Sequence, residues 1–124
     1  MSEDRLYTVE EANAVLPDLR DRLVRIREAR QVLLQSAAVV KEQVATDGGG
    51  THGGRDYWQA QSTLRAEIER LAEENIVLRD PETGLVDFPG ERQGRRVWLC
   101  WRAGEERVEH WHELDTGFIG RQPW

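Results

Sequence analysis

Between Thr46 and Gly54 the chain reads TDGGGTHGG, and this tract decides how the first half can fold. Each of its five glycines disfavours regular structure by roughly 0.5–1 kcal/mol relative to alanine, so any helix must stop there. The apolar residues on either side keep a helical beat. Before the tract, Leu16, Leu19, Leu23, Ile26, Leu33, Ala37, Val40 and Val44 recur mostly at steps of three or four; after it, Leu64, Ile68, Leu71 and Leu78 do the same. Two helices joined by a loose loop form an antiparallel hairpin. The sequence TVEE predicts its start, with Thr8 as N-cap and Glu11 completing a capping box. Pro17 removes one backbone bond and is expected to kink the first helix or split off its first turns.

Beyond Asn75 the period changes. Two short apolar runs flank Asp80-Pro81-Glu82-Thr83-Gly84, a turn signal in which proline presets φ and glycine permits a positive one. A second hairpin follows in RRVWLCWRAGEERVEHWHE, with its tip at Ala103–Glu106. The expected fold is α+β: a long antiparallel helical hairpin (8–75), a four-stranded antiparallel β-meander (76–113) and an extended tail (114–124) lying on the sheet. At 124 residues this reads as a single domain.

With 32% charged residues, a net charge of −6 and acids interspersed among the arginines, the chain has no basic stripe for nucleic acid. No apolar run approaches the ~18 residues a membrane span needs. The opening MSEDRLYTVEEANAV lacks a basic start and apolar stretch, so no secretory signal is expected. One cysteine leaves no internal disulfide to form. The expected location is cytoplasmic. The first helical stripe is longer than its partner, so Leu33, Ala37, Val40 and Val44 need another cover. A second copy of the chain supplies it in a homodimer.

The motifs YTVEEANAVLP, GLVDFP, VWLCW, GE, WH and GRQP, in that order, span nearly the whole chain. In these it resembles a family of small, uncharacterised bacterial proteins, a domain of unknown function. The resemblance implies a shared fold and no established activity. The positions it carries over are Asp87, Gly94, Cys100, Trp101, Gly104, Glu105, Trp111, His112, Gly120, Arg121 and Pro123. His110 departs from the family's pattern, which is aromatic or apolar there.

VEHWHELD holds the candidate chemistry. On a strand His110 and His112 point the same way, roughly 7 Å apart. Two imidazoles can share one ion, and Asp87 or Asp115 can add a carboxylate, the donor set of non-haem iron or a catalytic zinc. The competing structural reading has both histidines hydrogen-bonded to neighbouring acids. With a tip at Gly104-Glu105, Trp98 faces Trp111, Leu99 faces His110 and Val97 faces His112. Trp98 and Trp111 should then meet as a cross-strand pair, and Cys100 should lie on the face opposite His112. That argues against a Cys–His dyad and for a buried, inert thiol. Glu105, roughly 23 Å from His112 along a straight strand, stays outside the site unless a bend or a second subunit brings it in. Arg121 can stack on a tryptophan, pair with Asp87 or hold an anion.

The preferred reading is therefore a cytosolic protein with a polar site on its sheet. The site is built on His112, with His110 and Asp87 as co-ligands of a zinc or iron ion or as an acid/base pair. If it is catalytic, His112 carries the proton, since imidazole titrates near neutral pH. The alternative is a noncatalytic homo-oligomeric scaffold that docks through its helical hairpin.

Overall fold

A computed structural model describes residues 5–47 and 55–124, with the side chains of 38–47 excepted. The glycine tract from 48 to 54, with His52, lies outside the described residues, as do the side chains of Val40 and Val44. Helix α1 (Val9–Asp47) opens on the expected capping box: the Glu11 N–H donates to Thr8 Oγ1 at 3.0 Å, and the Thr8 N–H donates to Glu11 Oε1 at 2.9 Å. The helix runs through Pro17 as one element, so no separate first segment forms. Helix α2 (Arg55–Glu73) packs back against it. Leu16, Leu19, Leu23 and Ile26 of α1 and Leu71 of α2 are buried in one core. Arg22 is buried beside them and bridges the helices through Glu67 (3.0 Å) and Glu74 (2.9 Å).

The sheet has five antiparallel strands in sequence order, one more than expected: β1 (Val77–Asp80), β2 (Leu85–Arg92), β3 (Arg95–Arg102), β4 (His110–His112) and β5 (Gln122–Pro123). The fifth strand comes from the tail, which turns through a short 3₁₀ segment (Phe118–Gly120) and pairs Gln122 with Trp111 and Pro123 with His110. Proline is tolerated there because the strand lies on the edge. Gly84 closes the β1–β2 turn at φ 72°, and its N–H donates to the Asp80 carbonyl. Gln93 and Gly94, both at positive φ, make the two-residue β2–β3 turn.

The β3–β4 connection departs from the expected hairpin. It is not a two-residue tip but runs from Ala103 to Glu109, and its course is tied down residue by residue. The Glu105 N–H donates to the Arg102 carbonyl, Glu105 Oε1 accepts the Arg102 N–H, and Trp101 Nε1 donates to the Glu105 carbonyl. The Val108 N–H then donates to Asn13 Oδ1 on α1 at 2.7 Å. The register that results pairs Trp98 with His112, Leu99 with Trp111 and Cys100 with His110, one residue away from the expected ladder. A slip of one residue turns each side chain of β4 to the other face relative to β3. Trp111 therefore lies over Leu99 in the core and does not meet Trp98.

Val86, Phe88, Val97, Leu99, Trp101 and Trp111 share the face packed on the helices. The opposite face carries Leu85, Asp87, Trp98, Cys100, His110 and His112, which alternate with them along the strands. Among the described residues, no helix is long and apolar enough to cross a membrane.

Gly84→Ala should be costly. A Cβ there would stand 2.7 Å from Ala103 Cβ, on a backbone already at φ 72°. The left-handed conformation alone costs an alanine about 1–2 kcal/mol. Urea melts should show at least that loss, and a change below about 0.5 kcal/mol would mean the turn readjusts freely.

Candidate metal centre

Three adjacent strands each send one ligand-type side chain to the outer face: Asp87 from β2, Cys100 from β3 and His112 from β4. All three are buried, and one oxygen, the sulfur and one ring nitrogen lie within 4.8 Å of one another. The segment after β4 folds over them. Leu114, Asp115, Thr116, Gly117 and Phe118, with Arg79 and Leu85, line a cleft of about 400 Å³ that opens onto the cluster.

Hydrogen bonding constrains the tautomer of His112. His112 Nδ1 lies 2.8 Å from the Glu113 carbonyl oxygen, which can only accept, so Nδ1 carries a hydrogen. Its Nε2 lies 3.0 Å from Asp87 Oδ2. A hydrogen bond at that distance takes its hydrogen from one of the two groups, the ring or the carboxyl. Arg79 Nε also donates to Asp87 Oδ2, at 2.9 Å, while its guanidinium stacks on Trp98 at 4.9 Å. The other oxygen, Asp87 Oδ1, is buried and has no hydrogen-bond partner among the described residues. Such an atom costs about 1–3 kcal/mol when nothing satisfies it.

Burial, followed by the nearby Asp87 carboxylate, pushes the Cys100 thiol up to about 12. Without a cation the sulfur is a neutral thiol and not a nucleophile. A bound dication reverses this, because metal coordination deprotonates a thiol outright.

Residues 5–124 match the model of a family described as an uncharacterized conserved protein, DUF2203. The chain belongs to this family. No curated protein and no solved structure matches it. DUF2203 membership extends over both helices and the whole sheet but brings no activity with it.

The expected residues separate into two groups. Asp87 and Cys100 face one another across β2 and β3, and His112 joins them because of the changed register; the expectation that Cys100 and His112 lie on opposite faces is overturned. His110 points to the same face but engages Arg121, whose Nη2 donates to His110 Nδ1 at 3.2 Å. Arg121 also clamps Glu105 through two contacts of 2.8 Å and stacks on Phe118. Burial alone would raise the Glu105 carboxyl, but Arg121 and the Arg102 N–H hold it below the usual carboxylate range. Glu105 thus reaches the neighbourhood of His110 within one chain, because the β3–β4 connection folds back where a straight strand would have carried it away. The pair pins the tail beside the cluster, where Arg121 Nη2 also contacts the Cys100 carbonyl. Asp115 is exposed on the cleft rim. Arg79 was not foreseen, although alternation from Val77, the partner of Asp87, places it on this face.

The raised thiol gives stability a pH dependence. Between its ordinary value of 9.0 and about 12 the unfolded chain has lost the Cys100 proton while the folded one keeps it. Stability from this group is therefore full below 9 and falls as pH rises through that window, by at most about 1.4 kcal/mol per unit. In metal-free protein, Cys100→Ala should flatten the decline in urea-melt stability between pH 9 and 11. Equal slopes in the two proteins would show that the folded thiol ionises normally. Tyr7, raised chiefly by its burial, contributes to both and cancels in the comparison.

Proposed function

We propose that the cluster is a divalent-metal site with zinc as its preferred ion, held by Asp87, Cys100 and His112. The observation that carries this reading is the buried, unpartnered Asp87 Oδ1 beside a thiol and an imidazole nitrogen on adjoining strands. A metal satisfies that oxygen and uses all three side chains. Cys100 in the place foreseen for His110 changes the donor set from two histidines and a carboxylate to one nitrogen, one oxygen and one sulfur. A thiolate favours zinc over magnesium or calcium, and it departs from the facial triad of non-haem iron.

The geometry supports the reading with modest movement. Two donor atoms bound to zinc at about 2.0–2.2 Å and a tetrahedral angle stand roughly 3.4 Å apart. The Asp87 oxygen, the Cys100 sulfur and the His112 nitrogen already lie within 4.8 Å of one another, so they need to close on that spacing by at most roughly 1.4 Å. His112 Nδ1–H on the Glu113 carbonyl leaves Nε2 free for the ion and fixes the ring, the usual second partner of a metal-bound imidazole. Three protein ligands would leave a four-coordinate ion one further position, as in catalytic zinc sites, where bound water becomes acidic near neutral pH, and the three side chains line the cleft. A second reading, an acid/base pair of His112 and Asp87 without metal, draws on their complete hydrogen bond. In it His112 is the proton carrier.

Elemental analysis of protein purified with added zinc separates the two. The metal reading expects near-stoichiometric zinc, with His112→Ala and Cys100→Ser each lowering it at least about tenfold and His110→Ala having little effect. Zinc uptake at pH 7 should also release the proton of the Cys100 thiol. Equal zinc in wild type and His112→Ala sinks the metal reading.

The homodimer is a separate proposal. Of the stripe Leu33, Ala37, Val40 and Val44, Leu33 is half-buried and Ala37 exposed, with Leu34 exposed between them; the side chains of Val40 and Val44 lie outside the described residues. Sedimentation at micromolar concentration should find twice the chain mass, and a folded 14.3 kDa species would overturn it.

A further inference from the structure

We infer that the open side of this centre receives a small organic monocarboxylate, held between the metal and the Arg79 guanidinium. The inference rests on the metal reading. Arg79 is fixed on two sides, by its Nε bond to Asp87 and by its stacking on Trp98. Its two terminal nitrogens make no hydrogen bond or ion pair among the described residues, and the side chain, 42% exposed, lines the cleft. A guanidinium held by Nε still offers its paired terminal N–H groups as a planar fork, the shape that meets a carboxylate with two parallel bonds. Pre-ordering by Asp87 and Trp98 removes much of the entropy cost of that contact.

Charge counting chooses the anion. The dication is cancelled by the Cys100 thiolate and the Asp87 carboxylate, and His112 binds as a neutral ring. Arg121 is cancelled by Glu105. Arg79 remains, so the centre carries one surplus positive charge in a partly desolvated cleft. A monoanion neutralises it, whereas a phosphate dianion overshoots. Asp115 lies exposed on the rim, where water screens it. The rest of the lining is suited to an organic body: Leu85, Leu114 and Phe118 stand around the same space of about 400 Å³. One ligand thus satisfies three features, with its carboxylate on the metal and Arg79 and a short apolar chain against these side chains.

Cobalt(II) in place of zinc gives a direct readout, because its visible absorption follows the ligand at the open position. Butyrate should shift the spectrum of the cobalt-loaded protein and saturate. Neutral butyramide should not, and inorganic phosphate should bind more weakly. Arg79→Gln should retain cobalt and lose affinity for butyrate at least about tenfold. Bound cobalt with a spectrum unmoved by butyrate overturns the inference and leaves the metal reading standing. So does phosphate binding as tightly as butyrate, or butyrate binding equally to Arg79→Gln. If that variant loses cobalt through its contact with Asp87, the wild-type comparison of butyrate with butyramide decides alone, and equal effects of the two overturn the carboxylate. Failure of the wild-type protein to hold cobalt or zinc overturns the metal reading, and this inference with it.

Discussion

The outer face of the sheet depends on one residue of register between β3 and β4. That register is not set by the strands, since β4 is only three residues long. It is set by the connection before it. Glu105 folds back onto the end of β3 with both its backbone and its side chain, Arg20 of α1 donates to the Glu106 carbonyl at 2.7 Å, and Asn13 of α1 receives the Val108 N–H. The first helix thus helps to position a strand almost a hundred residues later. With the connection held, Trp111 enters the core and His112 turns outward to Cys100 and Asp87. With the register moved by one, His112 would face the helices and the cluster would not exist.

The two faces of the sheet make opposite demands. The inner one is apolar and is covered by the helices, as any two-layer domain requires. The outer one buries a carboxylate, a thiol and an imidazole beside a tail of eleven residues, none of which belongs to the buried core. Buried polar groups are tolerated when every one of them has a partner. Here the protein partners all but Asp87 Oδ1 within the cluster. A fold that spends its tail on covering such a group has a use for it, and that asymmetry is the physical basis for reading the face as a site.

Much of this was legible in the sequence, and the gaps have identifiable causes. The helical hairpin was legible because Thr8, Glu11 and the stripe through Leu16 and Leu23 are local signals. The Asp80–Gly84 turn was legible for the same reason. The fifth strand was not, because Gln122 and Pro123 carry no strand pattern and pair only where Trp111 and His110 already offer an edge. The site was half legible. Asp87 and His112 stood out as polar residues among apolar neighbours, but Cys100 and His112 were put on opposite faces of the sheet. A Gly-Glu tip and a longer folded connection have the same composition, and they differ only in contacts to Asn13 and Arg20 that no local pattern contains. Arg22 was hidden for a like reason: its partners Glu67 and Glu74 lie in the second helix and just past its end.

The two edges of the sheet are both poorly suited to pairing with another strand. On one side β1 is four residues long and breaks register between Leu78 and Asp80, with Arg79 drawn across the outer face by Asp87. On the other side β5 is two residues long and ends in Pro123, which has no N–H to offer. Short, irregular or proline-bearing edges are how native sheets avoid templating further strands. Among the described residues, neither edge of the sheet therefore offers a long, regular row of backbone groups to another strand.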